Sequence, residues 1–348
     1  MTHSHYLDTL GVWDATAGLP EQLQNALSSS AGTFDPTMLG PGSAPSAVVV
    51  LGMGTAGLAG DVVAAYAAPH SRVPVVVDRT YDVPAFVGPG TLVFAVSFSG
   101  ETEETMASAT AALERGGRLV VVAGEGALGR WARDLGLPLF SMPDGLPASR
   151  TALGALTVPM LVTLAHLGLV PDPAPSLDTA LTALRRRRDA LIAPGGPAEE
   201  VARLVGRTIP LVYGSSGLAA VAARRWKAQV NENAKTPAFL AVQPDLSHNE
   251  VAGWGQNGDV TRQVLSLITL RHAGEHPQVA RRFDLVVEAT DEVMAHVIPV
   301  WAEGEDDLGR FFDLALFGDF VSLHLAGREG TDPGPVPALT DVETALRN

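Results

Sequence analysis

The sequence predicts an α/β protein of two similar halves, each a parallel sheet flanked by helices. Three observations carry this. Short apolar runs alternate with helix-like stretches through the first half. Three prolines within residues 171–175 then break the pattern. After them the order of strand, glycine-rich turn and helix restarts.

Element by element, Ala47–Leu51, Val73–Val77, Thr91–Val96 and Leu119–Ala123 are apolar, β-prone runs and are expected as strands. Helix-like stretches at 57–68, 102–115 and 126–135 separate them, the spacing of a parallel sheet. Residues 151–168 are rich in alanine and leucine and read as a buried helix. The proline-rich stretch that follows is expected as a linker, giving domains at 1–170 and 171–348. A charged helix at 176–193 carries Arg185–Arg188, read as a solvated face. Ile209–Tyr213 leads to Gly214-Ser-Ser-Gly217 and a helix, as Val48–Leu51 leads to Gly52-Met-Gly54-Thr55-Ala-Gly57 and a helix. Further strands are expected at Val264–Leu270, Leu285–Glu288 and His296–Trp301, and a final helix from Asp307 to Ala326.

Bulk properties narrow the function. A chain of 348 residues with 46% hydrophobic content can bury two cores. It has no cysteine, which excludes disulfides and thiol chemistry. No apolar run is long enough to span a membrane. Met1-Thr-His-Ser-His5 lacks a basic start followed by an apolar core, so no signal peptide is expected and the cytoplasm is the simple inference. A net charge of −14 argues against a nucleic-acid partner. It also means that an anionic ligand must be drawn in by local positive groups.

The most informative stretch is Val93-Phe-Ala-Val-Ser97-Phe-Ser99-Gly100-Glu101-Thr102-Glu103-Glu104-Thr105. An apolar run stops at a cluster of hydroxyls and one glycine, and a helix-forming run follows. In an open α/β sheet this is the strand end where ligands bind. Ser97, Ser99 and Thr102 offer hydroxyl donors, and a helix starting near Glu101 adds N–H groups at its positive end. Together they make a seat for a phosphate. The same residues also fit a plain capping box, Ser99–Thr102–Thr105 with Glu103 and Glu104 nearby, and a carboxylate pointed at the seat would repel a phosphate.

Two other motifs compete. Gly52-Met-Gly54-Thr55-Ala-Gly57, with Asp78 ending the next strand, is the full dinucleotide fingerprint. The second half repeats the turn as Gly-Ser-Ser-Gly, which points to a generic backbone device, and residues 97–105 seat a phosphate better than a nicotinamide fold needs. No cofactor is expected. His272-Ala-Gly-Glu275-His276 matches H-x-x-E-H, which needs a helix to set both histidines on one face. Gly274 and Pro277 disfavour a helix, so a polar loop without a metal is expected.

A second region is Arg224-Arg-Trp226-Lys227-Ala-Gln-Val-Asn231-Glu232-Asn233-Ala-Lys235-Thr-Pro237. Both lysines of the chain, 227 and 235, fall in it, and lysine suits a site needing a compact charge. Glu232 lies between two amides that could orient a carboxylate as general base. An exposed helix end before Pro237 would account for the same residues. Next comes Asp245-Leu-Ser-His248-Asn249-Glu250-Val-Ala-Gly-Trp254, where His248 in a polar turn is a candidate acid/base, against the alternative of a lone surface histidine.

Gly52-Met-Gly54, Ser97–Thr105, Ser149-Arg150-Thr-Ala-Leu-Gly154, Asn231–Lys235 and Ser247-His-Asn-Glu250 together resemble the bifunctional phosphoglucose/phosphomannose isomerase family, two-domain sugar isomerase (SIS) proteins. The resemblance runs in order over nearly the whole chain. The serine loop alone marks any SIS domain, whereas the Asn-Glu-Asn and His-Asn-Glu pair is much more specific. The resemblance implies two SIS-type domains and an aldose–ketose isomerase working through a cis-enediol, without metal or cofactor, as a homodimer. By motif position it implies that Glu232 moves the proton between C1 and C2, and that His248, supplied by the partner subunit, opens the ring. Arg150 would stabilise the enediolate. Ser97, Ser99 and Thr102 would hold the 6-phosphate, helped by the Gly54–Thr55 turn.

The chain departs from the family at named positions. Thr55-Ala56-Gly57 stands where a serine or second glycine is common, Glu101 where asparagine is, and Ser149 where proline is. Family members carry a lysine near the C-terminus that contacts the substrate. Here Val336–Asn348 holds none, and Arg347 is its basic residue. Two other function classes stay open at this level. One is a non-catalytic SIS protein that binds a phosphosugar and regulates a partner, favoured by the missing lysine and opposed by Glu232 and His248. The other is a nicotinamide enzyme built on the first glycine loop. A glutamine-dependent amidotransferase is excluded in its usual form, for want of a cysteine nucleophile.

Overall fold

The structure, a computed structural model, describes residues 6–30, 33–39 and 44–346. Met1–His5, on which the absence of a signal peptide was read, and Arg347 lie outside the described residues. The chain forms two compact units. One is Gly18–Leu181; the other takes the described residues before 18 and from 182 onward. The division therefore falls at 181/182, within a helix, rather than at the expected 170/171. The prolines at 171–175 form the turn that starts that helix, and do not mark the domain boundary.

The chain opens with α1 (Val12–Ala17), which packs in the second unit against the long C-terminal helix. The first unit holds α2 (Leu19–Ser30), β1 (Ala47–Leu51), α3 (Gly54–Ala67), β2 (Val75–Asp78), β3 (Thr91–Ser97), α4 (Glu103–Glu114), β4 (Arg118–Ala123), α5 (Ala127–Asp134), β5 (Leu139–Ser141) and α6 (Leu153–His166). Its strands form one parallel sheet in the order β2-β1-β3-β4-β5. β1 and β3 are buried along their whole length, as central strands covered on both faces must be. On one face Ala109, Ala112, Leu128 and Ala132 of α4 and α5 meet Val49, Leu51, Val93, Ala95 and Val121. On the other, α3 comes so close that a Cβ at Gly60 would meet Val50 Cγ1 at 2.8 Å. α6 packs on α3 and α2, and is buried all round, as its composition predicts.

α7 (Ala174–Leu191) carries the chain into the second unit. There follow α8 (Pro197–Val205), β6 (Ile209–Gly214), α9 (Leu218–Asn233), β7 (Phe239–Val242), α10 (Gly258–Val264), β8 (Leu265–Arg271), α11 (Pro277–Thr290), β9 (His296–Trp301), α12 (Asp307–Arg328) and α13 (Pro337–Leu346). The second sheet is also parallel, in the order β7-β6-β8-β9. Phe283 and Val286 of α11 cover one face against Leu211, Tyr213 and Leu267. α9 and α12 pack against each other on Trp226, whose Nε1 donates to Leu314 O at 2.7 Å. A Cβ at Gly318 would lie 2.3 Å from that indole, so only glycine admits this crossing.

Three expectations are corrected. The strand expected at Leu285–Glu288 is part of α11: Val279, Phe283, Val286 and Thr290 are buried at helical spacing, and His276 caps the helix by accepting from Gln278 N. β5 and β7 were not foreseen, being sheet-edge strands of three and four residues. The arginine run is not uniformly solvated. Arg187 is buried, paired with Asp313 at 3.1 Å and Glu303 at 2.5 Å, and stacked over Phe317.

Candidate active site

Strand order in the first sheet reverses between β1 and β3, and the chain leaves both strands at the same edge. β1 pairs with β3 in the register Leu51↔Ala95. The two following segments, Gly52–Thr55 and Ser97–Thr102, therefore leave side by side. A Cβ at Gly52 would lie 3.1 Å from Val96 O. Ligands of open α/β sheets bind where adjacent connections part in this way.

Two helices start there. Gly54 opens α3 at φ +49°, a backbone that favours glycine, and neither the N-cap of α3, Met53, nor that of α4, Thr102, caps its helix with a side chain. The capping-box reading of Thr102 thus gives way. Its hydroxyl is 2.9 Å from Ser97 Oγ, which also accepts from Gly100 N at 3.0 Å. Ser97 is buried; Ser99 is exposed and accepts from Glu101 N at 3.1 Å. Thr105, in the first turn of α4, buries a hydroxyl with no hydrogen-bond partner among the described residues.

The loop is held by close glycine contacts. Gly100 has φ +72°, and a Cβ on it would strike Gly124 O at 2.8 Å and Gly126 N at 2.9 Å. The Glu101 side chain is engaged by the neighbouring helix start. Its carboxylate accepts from Ala127 N at 3.0 Å, at the start of α5, with Arg130 at 3.5 Å. At the fingerprint position, Asp78 accepts from the backbone N and hydroxyl of Thr80. The third glycine, Gly57, is overlaid by Arg79, which bonds its carbonyl and Asp61.

Arg150 follows β5 on a 3-10 turn, Ser149–Thr151, at the same sheet edge, and the turn packs against α3. Arg150 is buried. Its turn is fixed by Gln22 of α2, which sequence reasoning missed. The Gln22 amide donates to Thr151 O at 2.7 Å and accepts from Gly154 N at 2.6 Å and Ala155 N at 3.1 Å. One side chain thus caps α6 and ties the preceding turn. No local pattern announces such a link, because 129 residues separate Gln22 from Thr151.

Glu232 and His248 belong to the second unit. Glu232 is half-buried in the last turn of α9. The flanking asparagines fix the helix end: Asn231 donates to Thr236 O at 2.8 Å and Asn233 to Ser322 Oγ at 2.9 Å. The Lys235 ammonium donates to the carbonyls of Glu232 and Pro333. A buried ladder from Arg225 and Gln229 to Asp319 continues the hold on α12.

His248 is exposed on a 3-10 turn, Asp245–His248, beyond the end of β7. The next turn is tied to the sheet where Tyr213 donates to Glu250 at 2.6 Å and receives from Trp254 at 3.1 Å. Burial, with the bond to Glu250, pushes the Tyr213 phenol far above its ordinary range, so it stays protonated. In a parallel β-α-β crossover the helix runs back against the strands. Glu232, at the end of α9, therefore lies at the edge where the strands begin, and His248 at the edge where they end. Within one chain the structure does not bring these two together.

The H-x-x-E-H segment is no helix. His272 Nε2 is 3.0 Å from Ser215 Oγ, Glu275 pairs with Arg271, and His276 caps α11. Burial lowers the His272 pKa, which keeps the ring neutral.

Comparison with known proteins decides the family. Residues 195–346 match the bacterial phospho-glucose isomerase C-terminal SIS domain, and residues 44–134 match the SIS domain. A bifunctional phosphoglucose/phosphomannose isomerase of Caldicellulosiruptor bescii is 31% identical over 304 residues, 86% of this chain and 89% of that one. Its counterpart in Aquifex aeolicus is 31% identical over 301 residues, 86% and 90% of the two chains. The chain belongs to the bifunctional phosphoglucose/phosphomannose isomerase family. It is a sugar-phosphate isomerase. The fold is shared with tagatose-6-phosphate ketose/aldose isomerase from Escherichia coli, at TM-score 0.65 and 18% identity over 93% of this chain and 95% of that one. It is also shared with the C-terminal domain of a Francisella tularensis glucosamine-fructose-6-phosphate aminotransferase, at TM-score 0.69 and 16% identity over 93% and 98%. Among the described residues, no helix of the isomerase is long and apolar enough to cross a membrane.

Proposed function

We propose that the isomerase interconverts glucose 6-phosphate and mannose 6-phosphate with fructose 6-phosphate through a cis-enediol, using protein groups alone. The observation that carries this is the hydroxyl seat at Ser97, Ser99 and Thr102 between the side-chain-uncapped starts of α3 and α4. Two positive helix ends and three hydroxyls favour a phosphate dianion, with Gly54 and Thr55 contributing backbone from the α3 side.

In this reading Glu232 takes the proton from C2 of the open-chain aldose. The C1–C2 double bond forms as the carbonyl π bond becomes an oxyanion, which Arg150 stabilises. A proton passes from O2 to O1, the carbon-bound proton returns at C1 and the carbonyl reforms at C2, so no atom is gained or lost. His248 protonates the ring oxygen to open the pyranose, and we assign it to the neighbouring subunit of a homodimer. Its exposure, and its place at the sheet edge opposite Glu232, support that assignment. The cysteine-free sequence favours the cytoplasm.

The test is direct. Wild type should form fructose 6-phosphate from both aldose phosphates in a coupled assay and exchange the C2 proton of glucose 6-phosphate with deuterated water. Glu232→Gln should lose that exchange and about 10²–10⁴ in kcat, with KM nearly unchanged. Near-normal turnover in Glu232→Gln would remove Glu232 as the base.

A further inference from the structure

Among the described residues, Lys235 is the only one other than glycine whose backbone lies in the left-handed region, at φ +54°. It stands just past the end of α9, after Ala234, where glycine is the usual occupant because it takes this conformation without strain. Lys235 is exposed, so packing does not demand a side chain there. Bonds from Asn231 to Thr236 O and from Thr236 N to Val230 O already close the turn. What lysine supplies that glycine cannot is the ammonium. Rather than extending into water, it bends back to donate to Glu232 O, and to Pro333 O at 3.2 Å. Pro333 lies in an anchored turn, where Asp332 accepts from Thr9 Oγ1 at 2.6 Å and from Gly334 N at 2.9 Å. The turn that carries Glu232 is thereby tied to a point 98 residues from Lys235. Backbone strain of this kind concentrates at functional sites.

We propose that Lys235 is a positioning residue for Glu232. Its ammonium holds the last turn of α9 and so sets where the carboxylate meets C2 of the sugar phosphate. This role rests on the assignment of Glu232 as the base. A base must lie within hydrogen-bond reach of the proton it takes, and a misplacement of about 1 Å can cost about 10² in rate.

The test is a set of variants of the full chain assayed with glucose 6-phosphate. Lys235→Gly removes the ammonium and relieves the backbone. It should melt no lower than wild type, while kcat falls at least about tenfold with KM nearly unchanged. Lys235→Met keeps the strain and loses the charge, so it should show the same fall in kcat and melt below Lys235→Gly. Lys235→Arg, which still donates to carbonyls, should recover part of the kcat. In a Glu232→Gln chain, adding Lys235→Gly should cost no further activity, because the group it positions is gone. Wild-type kcat in Lys235→Gly and Lys235→Met, beside an inactive Glu232→Gln, would overturn this role alone. So would a rise in KM in place of the fall in kcat, additive losses in the double variant, or a Lys235→Gly chain that melts well below wild type, which would make the ammonium a clamp on the fold. Near-normal turnover in Glu232→Gln would overturn the base itself, and this role with it.

Discussion

Ser97 does two jobs with one hydroxyl. It accepts from Gly100 N and meets Thr102 Oγ1, so the seat is pre-formed before any ligand arrives. Replacing it does not orphan the loop, because Gly100 N also reaches Ser97 O at 3.2 Å. Ser97→Ala combined with Ser99→Ala should therefore leave the fold intact. It removes two charge-assisted bonds of about 1.5–3 kcal/mol each. Sugar-phosphate affinity should fall at least about tenfold by calorimetry, with an unchanged melting temperature. Unchanged affinity would show that the phosphate sits elsewhere. The hydroxyls were legible in sequence because they follow a long apolar run. Their orientation was not. Whether Thr102 caps α4 or faces Ser97, and whether Glu101 meets a ligand or the start of α5, depends on where β4 and α5 bring the neighbouring turn.

At the scale of elements, α2 is the piece the sequence hid. Its residues, Leu19–Ser30, suit a helix, but nothing local says that Gln22 closes the start of α6. Gln22→Leu leaves Thr151 O, Gly154 N and Ala155 N without that partner in a buried place. At about 1–3 kcal/mol for each unsatisfied group, urea denaturation should show a loss of several kcal/mol. Gln22→Glu keeps the two accepted bonds beside a helix start and loses only the donated one, so it should lose less. Equal losses would mean that the side chain acts by packing. Both variants should lower kcat more than they raise KM, if Arg150 acts on the enediolate. α11 shows the opposite limit. Leu285–Glu288 reads as a strand in isolation, but only its Val286 is buried, in a stripe that begins at Val279 and includes Phe283 and Thr290, and the period of the whole stripe won.

At the scale of the molecule, the two sheets repeat one order, with a glycine turn after the first strand of each, β1 and β6. They differ in what fills the switch point. In the first sheet the loop after β3 presents hydroxyls. In the second, the corresponding loop after β8 is closed on itself by Glu275 with Arg271 and His272 N. The placement of Glu232 and His248 at opposite edges of the second sheet carries an assembly prediction. Chains with Glu232→Gln and chains with His248→Ala should each be inactive. Mixed in equal amounts under conditions of subunit exchange, they should recover roughly a quarter of wild-type activity, since half the dimers are hybrids with one intact site. No recovery, with hybrids demonstrated by mass spectrometry, would mean that each chain supplies its own histidine.

The sequence by itself determined the α/β class, the central strands β1, β3, β4, β6 and β8, the buried helix α6 and the two motif segments. These are long or strongly patterned features, set by burial on both faces or by turn chemistry that only glycine and hydroxyl residues supply. Only the tertiary structure decided the domain division within α7, the short edge strands and the burial of Arg187. It alone gave the direction of Glu101, the link from Gln22 to the Arg150 turn and the separation of Glu232 from His248. Each of these depends on groups brought together from distant parts of the chain, and a contact across 129 residues leaves no periodicity or spacing to read.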